Sequence, residues 1–241
     1  MKPAALTSSF DRAAGTYLAH AGVQAAMAAW LAEWLPAARA GRALEVGAGP
    51  GVFTRRLLPW TGSLLATDRS AAMCAAGRAA WPHITWRTMA AEAPAAGPWD
   101  WIFSSSVLQW LESPTEVLAA WRERLAPGGR VLAGFFTAGS LEEWNALAGD
   151  SSPLVWRAPA EWRKHFAAAG LRVLRAEQAP RIFHHPSARA FLRTLHGVGA
   201  APARRLPAAQ LRRLLTEYDA RHRTAAGVSA TWQFFRIEAS M

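Results

Sequence analysis

Five apolar runs of strand length recur between residues 42 and 136, and the stretches between them have helical spacing. Residues 42–46, 63–67, 83–88, 99–104 and 130–136 read as strands, and 52–58, 70–80 and 114–125 as helices, the last opened by Ser113-Pro114 as N-cap and first-turn proline. Strand alternating with helix predicts a parallel sheet covered on both faces. After Phe136 the spacing predicts a helix over 158–169 ended by Gly170, a strand over 171–177, helices over 187–198 and 207–220, and a final strand over 231–237. Ahead of the sheet, helices are expected over 9–20 and 23–35, because Phe10, Ala13, Tyr17 and Ala21 fall on one face. The expected organisation is a helical cap (1–40), a core (41–177), a helical insertion over the substrate (178–227) and a last core strand (228–241).

At the first strand-to-helix junction the chain reads Leu44-Glu45-Val46-Gly47-Ala48-Gly49-Pro50-Gly51. A bland turn needs one or two glycines; three allow backbone N–H groups to approach a bound molecule closely. Val52 stands where a dinucleotide fingerprint wants a sixth-place glycine, which argues against a pyrophosphate. Asp68 ends the second strand 17 residues after Gly51. A carboxylate there accepts hydrogen bonds from a ribose diol, or else serves as an N-terminal acid of the next helix.

With Glu45 two residues before its first glycine, this turn resembles the S-adenosylmethionine site of class I methyltransferases. Trp99-Asp100-Trp101-Ile102-Phe103-Ser104 resembles the same family's fourth strand, and Leu125-Ala126-Pro127-Gly128-Gly129 its turn into the fifth. The resemblance implies an α/β fold, a Rossmann-like, mostly parallel, seven-stranded sheet. It also implies S-adenosylmethionine as cofactor, with Glu45, Gly47, Gly49, Gly51, Asp68, Met89 and Ser104 around it. The family often has an aspartate where this chain has Met89, a side chain that cannot accept the adenine amine; Glu92 or backbone groups are left for that task.

Phe10-Asp11-Arg12-Ala13-Ala14, Tyr17, His20-Ala21 and Gln24 look like the N-terminal helix of the malonyl-[acyl-carrier protein] O-methyltransferases of biotin synthesis. Ser106-Val107-Leu108-Gln109-Trp110 and Phe191-Leu192-Arg193-Thr194-Leu195-His196-Gly197-Val198-Gly199-Ala200 resemble them too. His196 stands where a lysine is usual, and Ser229-Ala230-Thr231-Trp232 where a Pro-Leu-Thr-Tyr run is. The implied reaction methylates the free carboxylate of a malonyl thioester. That group is ionised at neutral pH, so no general base is required. Arg193 is the expected carboxylate anchor and Tyr17 the residue that closes the pocket over the acyl group. Trp110 and Phe191 are expected as pocket walls or as ordinary packing.

The net charge of +10 lies mostly in the C-terminal part, where residues 141–241 carry fifteen basic and eight acidic side chains. Since 25 of the 27 basic residues are arginine, genome composition contributes, yet the local field suits an acidic partner. Docking of acyl-carrier protein is expected at Arg204, Arg205, Arg212 and Arg213. Few aromatic residues interleave with these arginines, which disfavours nucleic acid. His184-His185 lack companions at ligand spacing, so no metal is expected. The single Cys74 excludes an internal disulfide and, with no membrane-length apolar run, points to the cytoplasm; a monomer is expected. The alternatives are a methyltransferase of a small aconitate-like or natural-product carboxylate or hydroxyl, an RNA binder, and a scaffold that kept the fold without turnover.

Overall fold

The computed structural model describes residues 3–38, 40–149, 156–200 and 206–241. Seven strands form the sheet in the order β3-β2-β1-β4-β5-β8-β6. They are β1 (Ala40–Val46), β2 (Thr61–Asp68), β3 (Thr85–Thr88), β4 (Trp99–Ser105), β5 (Leu125–Phe136), β6 (Arg172–His185) and β8 (Gly227–Ser240). A two-residue β7 (Arg223–Thr224) adds to β8. β1 to β5 run parallel; β8 pairs antiparallel with both β5 and β6. Chain order reverses at β1, between β2 and β4, so the carboxyl ends of β1 and β4 border the crevice where such sheets take ligands.

Alternation along the strands fills two layers. Leu44, Ile102 and Val131 pack with Trp121 of α6 (Pro114–Arg122) and with Trp162 and Phe166 of α8 (Pro159–Ala168). On the other face Ala43, Trp101, Phe103 and Leu132 pack with Phe53, with Leu57 of α4 (Thr54–Leu57) and with Ala28 and Leu31 of α3 (Gly22–Ala32). Burying each large side chain contributes about 1.5–3 kcal/mol. Remaining helices are α1 (Pro3–Ala13), α2 (Tyr17–His20), α5 (Ala71–Ala80), α7 (Glu142–Ala148), α9 (Ala188–Gly197) and α10 (Ala208–His222). None of the described helices is long and apolar enough to cross a membrane.

Three details differ from the sequence expectations. The helix expected over 9–20 breaks into α1 and α2, because the Thr16 N–H bonds back to the Ala13 carbonyl (2.9 Å), closing a turn around Gly15. Residues 178–185, expected in the helical insertion, continue β6, which is the last strand of the sheet and so tolerates Pro180. Several arginines of the expected basic field are already paired. Arg221 and Arg223 bridge Glu217 and Asp219, and buried Arg236 bridges Glu33 (3.0 Å) and Glu177 (2.6 Å) while its guanidinium stacks on Trp30 and Trp34. Arg236 thereby fastens the helical cap to the far side of the sheet.

Candidate active site

The turn after β1 has left-handed backbone at Gly47 (φ +72°) and Gly49 (φ +55°). A Cβ on Gly47 would stand 2.1 Å from Val107 Cγ2, whereas one on Gly49 would meet nothing within 4 Å. The first glycine is thus required by packing, and the second leaves bare backbone facing open space. Asp68, at the carboxyl end of β2, holds this shape: Oδ2 accepts from the Gly49 N–H (2.9 Å) and Oδ1 from the Ser70 N–H (2.8 Å). Each oxygen keeps a further lone pair. Burial pushes the Asp68 carboxyl up from its ordinary value, and the Ser70 and Gly49 N–H groups and the Arg69 charge pull against that rise.

Gly47, Gly49, Asp68 and Met89 line one cavity, together with Tyr17 from α2. Glu92 also lines it and pairs with Arg69 at 3.0 Å, so a carboxylate stands near Met89. The carboxylate with free lone pairs, the uncovered glycine backbone and the apolar Met73, Met89 and Leu111 suit a ribose diol and a flat base. Those residues fit S-adenosylmethionine and would hold it here.

Other expected cofactor residues support the turn without facing the cavity. Glu45 is buried and accepts the Thr54 hydroxyl at 2.6 Å; burial pushes its carboxyl up to about 8, with Thr54 opposing and Asp68 adding to the rise. Ser104 is buried with its hydroxyl on the Val46 carbonyl (3.0 Å), and a Cβ on Gly51 would stand 2.5 Å from Trp81 Nε1. All three shape the turn from beneath.

A second cavity adjoins the first. Phe10, Tyr17, Ser106 and Trp110 belong to the walls of both, so they stand where a donor side meets an acceptor side. Phe10 and Trp110 meet edge to face, with centroids 5.5 Å apart. Tyr17 is half-buried; its hydroxyl pKa is raised by burial and by the Asp68 charge, so it stays protonated at neutral pH. The helices that carry Phe10 and Tyr17 form a lid latched to the end of α9. The Ser9 hydroxyl donates to the Gly199 carbonyl (2.8 Å) and the Thr16 hydroxyl to the Gly197 carbonyl (3.0 Å), while the Ser70 hydroxyl donates to Asp11 (2.5 Å). His20 fills the space over Gly197, where a Cβ would lie 2.1 Å from His20 Cδ2.

The expected carboxylate anchor is not at this cavity. Leu195, Val198 and Ala200 line it, whereas exposed Arg193 lies on the opposite side of α9, in a groove shared with α10. Helical phase is the reason: Ala188, Phe191, Leu192 and Leu195 form the buried stripe, and residue 193 falls outside it. Phe191 is core, while Trp110 is a pocket wall. Arg204 and Arg205 lie outside the described residues. Sequence reasoning missed Ser106, which has left-handed backbone (φ +63°) and directly follows β4 at the junction of the two cavities; its only sequence signal was its place in the Ser-Val-Leu-Gln-Trp run. Ser9 and Thr16, the latch donors, carried no signal at all.

Comparison with known proteins agrees with this geometry. A family model described as a methyltransferase domain matches residues 44–131. The malonyl-[acyl-carrier protein] O-methyltransferase of Alcanivorax borkumensis is 31% identical over 258 residues, covering 98% of this chain and 86% of that protein. The biotin biosynthesis bifunctional protein BioCD of Bordetella avium is 33% identical over 249 residues, covering 95% of this chain and 50% of that longer protein. Among solved structures, the geranyl diphosphate C-methyltransferase of Streptomyces coelicolor A3(2), bound to S-adenosyl-L-homocysteine, superposes with a TM-score of 0.57 at 13% identity, over 89% of this chain and 77% of that one. The cradle at Gly49 and Asp68 and the near-full-length relatives lead to one conclusion: the chain belongs to the malonyl-[acyl-carrier protein] O-methyltransferase family and is an S-adenosylmethionine-dependent O-methyltransferase.

Proposed function

We propose that this protein methylates the free carboxylate of a malonyl thioester carried on acyl-carrier protein, an early step of biotin synthesis. The observation that carries the reading is the chemistry of the second cavity: among the described residues none of its lining side chains is charged, and none is a base. A hydroxyl acceptor would need a base to take its proton, whereas a carboxylate is a nucleophile as it stands at neutral pH. Tyr17, held protonated, is not that base. S-adenosylmethionine supplies an electrophilic methyl group on a positively charged sulfur. The chain's work is then to exclude water and align the acceptor, for which Phe10, Tyr17 and Trp110 form a hydrophobic collar between the two cavities. The relatives named as malonyl-carrier methyltransferases support the acceptor on independent grounds.

Carrier docking falls to the groove between α9 and α10. Arg189, Arg193 and Arg212 border it over Leu192, Leu211 and Leu215. Cations around an apolar floor suit an acidic helix, with the charges steering the encounter. Arg193 thus serves the carrier rather than the malonyl group. Incubation with S-adenosylmethionine and malonyl-carrier protein, malonyl-coenzyme A, free malonate or aconitate, followed by mass spectrometry, tests the acceptor. Methyl gain on the malonyl thioesters is expected; methylation confined to aconitate or to hydroxyl compounds overturns the reading.

A further inference from the structure

The wall of the acceptor cavity includes side chains whose polar atoms the protein itself leaves unused. Among the described residues, Trp156 Nε1, Trp232 Nε1, Ser106 Oγ and Gln109 Oε1 are buried without a hydrogen-bond partner, and all four side chains belong to this cavity's wall. Buried polar groups are ordinarily satisfied, and four orphans around one cavity mark a place where a ligand completes the bonding. Both indoles are donors only, and the hydroxyl can donate. Gln109 is oriented by its amide NH₂, which donates to the Ser106 carbonyl (2.8 Å), so its oxygen is the single fixed acceptor of the set. Three donors on one small apolar chamber match an anion rich in oxygen lone pairs.

We infer that the acceptor's carboxylate is held by neutral donors, the indole N–H groups of Trp156 and Trp232 with the Ser106 hydroxyl, in place of a cation. This deepens the malonyl thioester reading and rests on it. Trp232 is fixed by its packing on Phe136, with ring centroids 4.7 Å apart, and stands on rigid β8. Ser106 is fixed by its N–H, which donates to the Gly134 carbonyl at 2.7 Å. The choice of donors has a kinetic logic. The reaction joins an anion to a cationic centre and ends neutral, so charge is lost on the way to the transition state. An arginine would stabilise the starting carboxylate more than the transition state, whereas neutral donors orient it and leave its lone pair reactive.

The test uses Trp232→Phe and Trp156→Phe, which keep ring area and remove one donor each, assayed with a malonyl thioester. A hydrogen bond to a charged group corresponds to about a ten- to hundred-fold effect. Each variant should lose about that factor in kcat/KM, mainly through KM, with the affinity for S-adenosylhomocysteine by calorimetry unchanged. In the wild-type protein, the indole ¹⁵N–H resonances of these two residues should shift when the malonyl thioester is added over S-adenosylhomocysteine. Unchanged kcat/KM, or still resonances, would overturn the inference while wild-type turnover leaves the malonyl reading standing. A wild type that fails to methylate any malonyl thioester removes both. If Trp232→Phe does not fold, Trp156→Phe and the wild-type resonances decide.

Discussion

Gly197 is one of two glycines at which the lid and the insertion touch, and replacing it with alanine perturbs the lid through α2. The new Cβ would lie 2.1 Å from His20 Cδ2, 2.3 Å from Cγ and 2.8 Å from Cβ. Carbon atoms rest at about 3.5–4.0 Å, so α2 must withdraw by about 1.5 Å. That motion stretches the 3.0 Å bond from the Thr16 hydroxyl to the Gly197 carbonyl and lifts Tyr17 from between the two cavities. Overpacking costs about 1–3 kcal/mol, which, if borne by the closed lid, lowers kcat/KM about five- to 150-fold. α9 itself should not suffer, since alanine is the better helix former. Steady-state kinetics with the acceptor, alongside thermal melts, measure the effect. His20→Gly in the same chain should restore activity, because it removes even the Cβ contact. A Gly197→Ala protein with wild-type turnover, or a loss that His20→Gly leaves uncorrected, would refute the lid's dependence on this approach.

Asp68→Asn leaves one of two backbone N–H groups facing an amide NH₂ and weakens both expected ribose bonds; calorimetry should show cofactor affinity falling about a hundred-fold or more, and a change under threefold would count against the cradle. Glu45 gives a pH prediction. Its folded-state pKa is raised from 4.5 to about 8, so the folded chain holds a proton that the unfolded chain releases above about 4.5, and stability drains away as pH rises through that window. Glu45→Gln keeps the oxygen that Thr54 bonds and should flatten the slope, by at most about 1.4 kcal/mol per pH unit, in chemical denaturation from pH 5 to 8. Reversing Arg189, Arg193 and Arg212 to Glu should raise KM for carrier-linked substrate about ten-fold or more at low salt, sparing a small malonyl thioester; equal kinetics on both would move the docking surface elsewhere.

What the sequence revealed, and what it hid, follows from how far each signal reaches. The Gly47–Gly51 turn and Asp68 are local features whose residue types are dictated by backbone geometry, and both stand where their spacing placed them. The strand pattern was legible for the same reason, because burial on two faces demands continuous apolar runs. Arg193 borders the groove and not the acceptor cavity because the stripe at 188, 191, 192 and 195 turns it outward, and a motif likeness carries no information on helical phase. The break at Gly15-Thr16 was hidden because the latch partner of Thr16 lies 181 residues away. Ser106 was passed over for Ser104, since a strand's last residue gives no periodic hint that the backbone turns left-handed beyond it.

The latch between lid and insertion is addressed to main-chain oxygens. Ser9 and Thr16 grip carbonyl groups, which every amino acid possesses. Side chains along α9 can therefore drift without loosening the closure, provided that residues 197 and 199 stay glycine, since a Cβ on Gly199 (φ +75°) would stand 3.0 Å from Phe10 Cδ1. A lineage built on this arrangement is free to retune what it recognises on the insertion while the door above the reacting atoms continues to shut in the same way.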